Sequence, residues 1–275
     1  MDKKQKIILF LIFIILLIGF IFFMIYRPDI AEEKTSGKIY HSFHYNNISD
    51  FFTEQKADQI VEYININIAY NEEHEQALWV CYLLTKEHLN NPVCKRKNYF
   101  KTDLNINSKS ATSNDYYKSG YDRGHLAPAA DMLWSEDAML ESFYMSNISP
   151  QKPGFNRGVW KKLEGRTRKL ALSEDSIIII TGPIFHNPMG SIGENKVTIP
   201  AYYYKILVDI SAPNLGAVAF VIPNRNTKLS LDKFAISIDS LERISGLNFM
   251  EALPDDLEKQ LESICDERLL NTIIQ

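Results

Sequence analysis

Tyr121-Asp122-Arg123-Gly124-His125-Leu126-Ala127-Pro128 sets an acid, a base, a glycine and an imidazole in immediate succession. His125 suits a general base, because imidazole titrates close to neutral pH. Gly124 beside it allows backbone conformations, or a close approach, that a side chain would block. Pro128 fixes the exit of the segment. A histidine met at random is usually a packed core residue, but with Asp122, Arg123 and Gly124 as neighbours His125 reads as a working side chain.

A second cluster follows: Ser146-Asn147, Pro150-Gln151, Asn156-Arg157-Gly158-Val159-Trp160 and Leu163-Glu164. Breaking a phosphodiester requires a base to activate water, a cation at the developing charge and a rigid hold on the phosphate. Asn156 offers a neutral oxygen, weak for Zn²⁺ but suited to Mg²⁺, which keeps most of its waters. Helical spacing is expected over residues 155–170. In a continuous helix Glu164 lies about 12 Å along the axis from Asn156, too far for both to bind one ion. Glu164 is therefore expected to act through the ion's water shell or by orienting a neighbour. Arg123 and Arg168 present guanidinium forks suited to phosphate oxygens. Taken alone, this helix reads equally well as an amphipathic surface helix with Trp160 and Leu163 on its buried face.

The hydrophobic fraction of 45% and the charged fraction of 23% are those of a globular protein with material for a core. A net charge of −4 does not itself suggest nucleic acid. It hides a polarised distribution, with one basic group at Lys95, Arg96, Lys97 and Lys101 and another from Lys152 through Arg157, Lys161, Lys162, Arg166 and Arg168 to Lys169. Local positive potential steers a polyanion, whatever the total. A zinc protease is excluded, since Glu73-His74-Glu75-Gln76 lacks the second histidine. Cys81, Cys94 and Cys265 fit no metal spacing; a Cys81–Cys94 bridge is chemically permitted outside the cytoplasm, and buried free thiols are the alternative.

Residues 7–26 are uncharged and almost wholly apolar, about 30 Å of helix. Lys3, Lys4 and Lys6 precede them, which predicts a cytoplasmic N-terminus and a domain on the periplasmic or extracellular side. A cleaved signal peptide has a shorter apolar core, about 7–15 residues, and a small-residue cleavage site that is missing here. Residues 1–27 are thus expected to be a cytoplasmic tip and signal anchor that binds the membrane, 28–69 a spacer, and 70–275 the globular domain. Within the spacer, Ser49 is placed to cap a helix through Phe51, Phe52, Ile60, Val61 and Ile64. Strands are expected at 78–84, 177–181, 202–210 and 217–222, and further helices at 238–245 and 254–270. Without regular βαβ alternation the class is α+β.

The chain resembles the DNA/RNA non-specific endonucleases, the ββα-metal, endonuclease G-like family. The resemblance is carried by 122–128, by Phe143-Tyr144-Met145-Ser146-Asn147-Ile148-Ser149-Pro150-Gln151 and by Asn156, Gly158, Trp160, Leu163 and Glu164 in order and spacing. Thr181-Gly182-Pro183-Ile184-Phe185, Ile199-Pro200 with Tyr203-Tyr204-Lys205, and 219–224 also look like family segments. It implies a ββα-metal fold with a mainly antiparallel central sheet flanked by helices, and metal-dependent cleavage of DNA and RNA with little sequence specificity. It further implies His125 as general base, Asn156 as ligand of Mg²⁺ or Mn²⁺, and Glu164 as helper in the metal's water shell. Arg123 and Arg168 would contact phosphate, Asn147 would support the site, and Arg96 would be an upstream substrate-binding arginine. The alternatives are a catalytically weak nucleic-acid-binding module and a phosphodiesterase acting on a smaller diester. Oligomeric state is left open, a homodimer included. Many relatives are released from their leader, whereas this chain reads as tethered.

Overall fold

The computed structural model describes residues 48–275, apart from 54–55 and 212–214. In chain order the strands are β1 (Gln59–Glu62), β2 (Asn67–Asn71), β3 (Gln76–Thr85), β4 (Asp122–His125), β5 (Ile148–Gln151), β6 (Ser176–Ile184), β7 (Ser191–Ile192), β8 (Val197–Thr198), β9 (Tyr202–Asp209), β10 (Gly216–Pro223) and β11 (Ala235–Ile236). The helices are α1 (Lys86–Asn90), α2 (Glu136–Ser142), α3 (Lys161–Ser173), α4 (Ile238–Ser245), α5 (Asp255–Glu262) and α6 (Glu267–Ile274). The main sheet runs β1-β2-β3-β6-β9-β10-β11, antiparallel at every pairing. The class is mixed α and β with a central antiparallel sheet, as the sequence predicts.

Both faces of this sheet are buried, so its strands read as nearly continuous apolar runs rather than strict alternations. Successive side chains still point to opposite sides. Val80, Tyr82, Ile177, Ile179, Tyr203 and Leu207 pack with Leu163 and Leu170 of α3 and with Leu269 and Ile273 of α6. Trp79, Cys81, Ile178, Ile180, Tyr204 and Ile206 pack with Ile238 and Leu241 of α4 and with Leu261 of α5. The sheet is therefore the middle layer between helices. The β4–β5 hairpin and α3 lie on the first face.

Several expectations need correction. The spacer does not extend to residue 69, because β1 and β2 are strands of the main sheet with Val61, Ile68, Ala69 and Tyr70 buried. The helix expected from Ser49 is a short 3₁₀ turn, Ile48–Phe51, and Ile60 and Val61 belong to β1. The helix expected over 254–270 is two helices, since the Asp266 side chain accepts from Leu269 N (3.0 Å) and caps a new one. The three cysteines are free thiols. Cys81 lies in the core under α4, whereas Cys94 packs beside Ala129 and Met139. The apolar stretch 7–26 lies outside the described residues; among those, no helix is long and apolar enough to cross a membrane.

At Gly182 in β6 an added Cβ would stand 2.1 Å from the Leu78 carbonyl oxygen and 2.8 Å from the Tyr204 hydroxyl. A backbone atom of the neighbouring strand cannot give way without shifting the sheet. Gly182→Ala should cost about 1–3 kcal/mol, as overpacking does, and lower the urea midpoint with an unchanged slope. A midpoint equal to wild type would contradict this packing.

Candidate active site

β4 and β5 pair antiparallel, Asp122 opposite Gln151 and His125 opposite Ile148. The chain then turns through 152–154 into a wide helical turn, Phe155–Trp160, and on into α3. The two strands and the helix that follows β5 thus carry Arg123, His125, Asn156, Glu164 and Arg168, whereas Asn147 comes from the turn before β5 and Arg96 from an upstream loop. Gly124 is required here by contact, since a Cβ on it would lie 2.2 Å from the Gln151 side chain. That side chain is buried across the hairpin.

Asn147 fixes the segment that follows His125. Its amide oxygen accepts from Ala127 N (2.9 Å), and its nitrogen donates to the carbonyls of Ala127 (3.0 Å) and Ser142 (2.7 Å). Its own carbonyl accepts from Leu126 N (3.0 Å). Asn147 is wholly buried and its side chain hydrogen-bonds only to backbone, so it braces the segment that follows His125.

The His125 ring stands edge-on to Phe143, centroids 4.8 Å apart, and tilted against Phe100 at 5.4 Å. Its Nε2 has no hydrogen-bond partner among the described residues. Burial, followed by the charges of Arg96 and Arg123, holds the imidazole down to about 3. The ring is consequently neutral at physiological pH but a weak base as packed, unlike the near-neutral imidazole expected from the sequence, because burial and the two arginines disfavour its protonated form. Arg123 lies over the Phe100 ring at 4.2 Å and donates to Ser113 Oγ. Arg96, the upstream arginine, donates to Asn98 Oδ1 (3.1 Å) and lies 5.7 Å from the Phe143 centroid.

Asn156 and Arg157 are both held by Asp122. Its Oδ2 accepts from Asn156 Nδ2 (2.9 Å) and from Arg157 Nε (2.9 Å), and its Oδ1 accepts from Arg157 Nη2 (2.6 Å). The helix here is not continuous. Gly158 leaves the helical region at φ −104°, ψ −111°, and the turn around it is wide. The 12 Å axial separation expected between Asn156 and Glu164 assumed regular α-helix through that point, so it does not apply.

Glu164 and Arg168, one turn apart on α3, join a charge cluster that the sequence did not suggest. Arg168 Nη1 donates to Asp131 Oδ1 (2.7 Å), and the Tyr82 hydroxyl donates to Asp131 Oδ2 (2.8 Å). Lys205, in the middle of β9, is buried; its Nζ has no hydrogen bond among the described residues and lies 5.0 Å from the Trp160 ring centroid. Burial raises the Glu164 carboxyl, opposed by Lys205, Arg168 and Arg96. Burial lowers the Lys205 ammonium, opposed by Glu164 and Asp131. The structure thus gathers Arg96 and Arg123 around His125, and Arg168 around Glu164. It shows Arg168 committed to Asp131, with only a quarter of its side chain exposed. Asp122, Asp131 and Lys205 are the residues that sequence reasoning passed over as site members. Of these, Lys205 could have been found from a charge placed inside a strand otherwise built of Tyr, Ile, Leu and Val.

The family model described as "DNA/RNA non-specific endonuclease" matches residues 45–256. Human mitochondrial endonuclease G is 34% identical over 197 residues, covering 66% of this chain and 66% of that protein. The mitochondrial nuclease of Saccharomyces cerevisiae is 36% identical, covering 70% of this chain and 65% of that protein, and nuclease C1 of Cunninghamella echinulata is 36% identical, covering 68% and 80%. The chain therefore spans just under two thirds of the human and yeast relatives. A solved EndoG/EndoGI complex superposes with a TM-score of 0.68 at 31% identity, covering 74% of this chain and 89% of that one.

The site makes a direct expectation for His125. With its ring held neutral down to about 3, an NMR pH titration of its side chain should show no inflection between about pH 5 and pH 8, whereas an ordinary imidazole titrates near 6.5. An inflection near 6.5 would mean that the ring is open to water rather than packed against Phe143.

Proposed function

Because this chain belongs to the DNA/RNA non-specific endonuclease family, we propose that it is a metal-dependent endonuclease hydrolysing phosphodiester bonds of DNA and RNA with little sequence preference. The observation that carries the reading is the pairing of two groups on one strand. His125 keeps a neutral ring with an unpartnered Nε2, and Asp122, about 10 Å up the strand, fixes the amide of Asn156.

The residues present fit a hard divalent cation. Asp122 takes the amide nitrogen of Asn156, which leaves the amide oxygen as the free donor on a half-buried side chain. One neutral protein oxygen suits Mg²⁺ or Mn²⁺, whose other positions go to water and phosphate. When bound, the ion supplies positive charge at the developing anion. His125 takes the proton of the attacking water. A working base must come within hydrogen-bond reach of that proton, so turnover requires a movement that uncovers its buried Nε2. Arg123 and Arg96 keep the imidazole neutral and provide guanidinium charge beside it for the phosphate. Glu164, with the charges of Lys205 and Arg168 near it, would orient the ion's water shell. Arg168 acts mainly through its ion pair with Asp131, with its exposed quarter left for phosphate.

Full-length protein should degrade plasmid DNA and ribosomal RNA with Mg²⁺ and lose that activity in EDTA. His125→Ala should lower turnover by about 10²–10⁴, the usual size of a general-base contribution. Asn156→Ala should raise the Mg²⁺ concentration needed for half-maximal rate. Undiminished cleavage in EDTA would contradict the metal, and a near-wild-type His125→Ala would contradict the base.

The tether is a separate part of the proposal. Lys3, Lys4 and Lys6 before an apolar stretch at 7–26 support a single membrane pass with the catalytic domain on the non-cytoplasmic side. Protease added to sealed cells without an outer barrier should remove the domain. Protection would reverse the orientation, and a soluble form beginning after residue 26 would mean that the leader is cleaved.

A further inference from the structure

The loop leading into β4 borders an open cavity of about 530 Å³ whose lining includes Tyr117, Lys118, Tyr121, Asp122 and Arg123. It shares Asp122 and Arg123 with the candidate active site and so adjoins it. In its lining and beside it cations pair with aromatic rings, Lys152 and Phe100 standing just outside the lining. Lys118 Nζ lies 5.1 Å from the Tyr117 ring centroid, Lys152 Nζ 4.1 Å from that of Tyr121, and the Arg123 guanidinium carbon 4.2 Å from that of Phe100.

Tyr117 is 70% exposed, whereas most aromatic side chains among the described residues are buried. Lys118 beside it has φ +52°, a left-handed conformation uncommon for a residue with a Cβ, and Gly120 follows at φ +80°. The chain accepts this backbone in the short loop that presents Tyr117. A single exposed tyrosine is ordinary; one with a lysine on its ring, at the rim of a cation-lined cavity next to a phosphodiester site, is not.

The chemistry separates two kinds of strand. Cations alone serve a duplex, whose bases are already stacked on one another and offer only phosphates to the surface. Aromatic rings interleaved with cations serve unpaired strands, whose bases have free faces to stack. We infer that Tyr117 and Lys118, with the Tyr121–Lys152 pair, form a base-stacking subsite that makes single-stranded nucleic acid the better-held substrate. This rests on the nuclease reading and adds a preference that the reading does not contain.

The test uses full-length protein carrying His125→Ala to stop turnover, with fluorescence anisotropy as the readout. The probes are a labelled mixed-sequence oligonucleotide of about twenty nucleotides and the same sequence as a duplex. On this background Tyr117→Ala should weaken single-strand binding about five- to tenfold and duplex binding by less than about twofold, in line with the loss of one stacking contact. Tyr117→Phe should restore single-strand affinity, because the ring and not the hydroxyl makes the contact. Equal losses on both probes, or none on the single strand, would overturn the subsite while leaving wild-type cleavage, and so the nuclease reading, intact. Failure to bind either probe, together with no cleavage by the wild type, would overturn both.

Discussion

The Asp122 carboxylate ties the strand that ends in His125 to the helix that carries Asn156 and Glu164. It receives Asn156 Nδ2 and two nitrogens of Arg157 at 2.6–2.9 Å. Arg157 is largely exposed, so the ion pair is screened by water and contributes little to stability. Its effect is geometric. An amide held by its nitrogen cannot rotate, and its oxygen is the atom left for a cation. The same carboxylate holds the irregular turn around Gly158 against β4, where a regular helix would carry Asn156 away along its own axis.

On the far side of α3 the cluster of Asp131, Arg168, Tyr82, Glu164 and Lys205 works against stability. Removing charges from water costs several kcal/mol per ion even when they are paired, and Lys205 Nζ finds no hydrogen bond among the described residues. An apolar side chain at residue 205 would suit the strand better, between Tyr203 and Leu207 on the same face. A charge kept there against that preference belongs to the chemistry of the site rather than to the fold. Lys205 and Arg168 oppose the effect of burial on Glu164, which still raises its carboxyl to about 7.

What could be read from the sequence, and what could not, follows the same division. The core strand at 177–181 and the helix at 238–245 were legible because unbroken β-branched runs and a serine-to-glycine span have few other readings. His125, Asn156 and Asn147 stand out in the sequence as candidates because their neighbours are unusual together. β1 and β2 were missed. Ile60, Val61 and Ile64 fall at helical spacing, and the alternation through Ile66, Ile68 and Tyr70 that marks a strand was outweighed by the polar residues between. The break at Gly158 was hidden because one glycine in a helical pattern is often tolerated. Asp131 and Lys205 were invisible as site members because they come from a loop and a strand far apart in sequence, and only the folded sheet brings them to Glu164.

The central claim is that Asp122 presents the Asn156 oxygen to a divalent cation. The most direct measurement is paramagnetic broadening by Mn²⁺, followed on the side-chain amide signals of the full-length protein. The Asn156 amide should broaden first, at the lowest Mn²⁺ concentration, and Asp122→Ala should abolish that selectivity without unfolding the chain. Among the described residues, Asp239, Glu242 and Glu262 form an acidic group with converging ligand atoms. Broadening that begins there and spares Asn156, or that is unchanged in Asp122→Ala, would contradict the account.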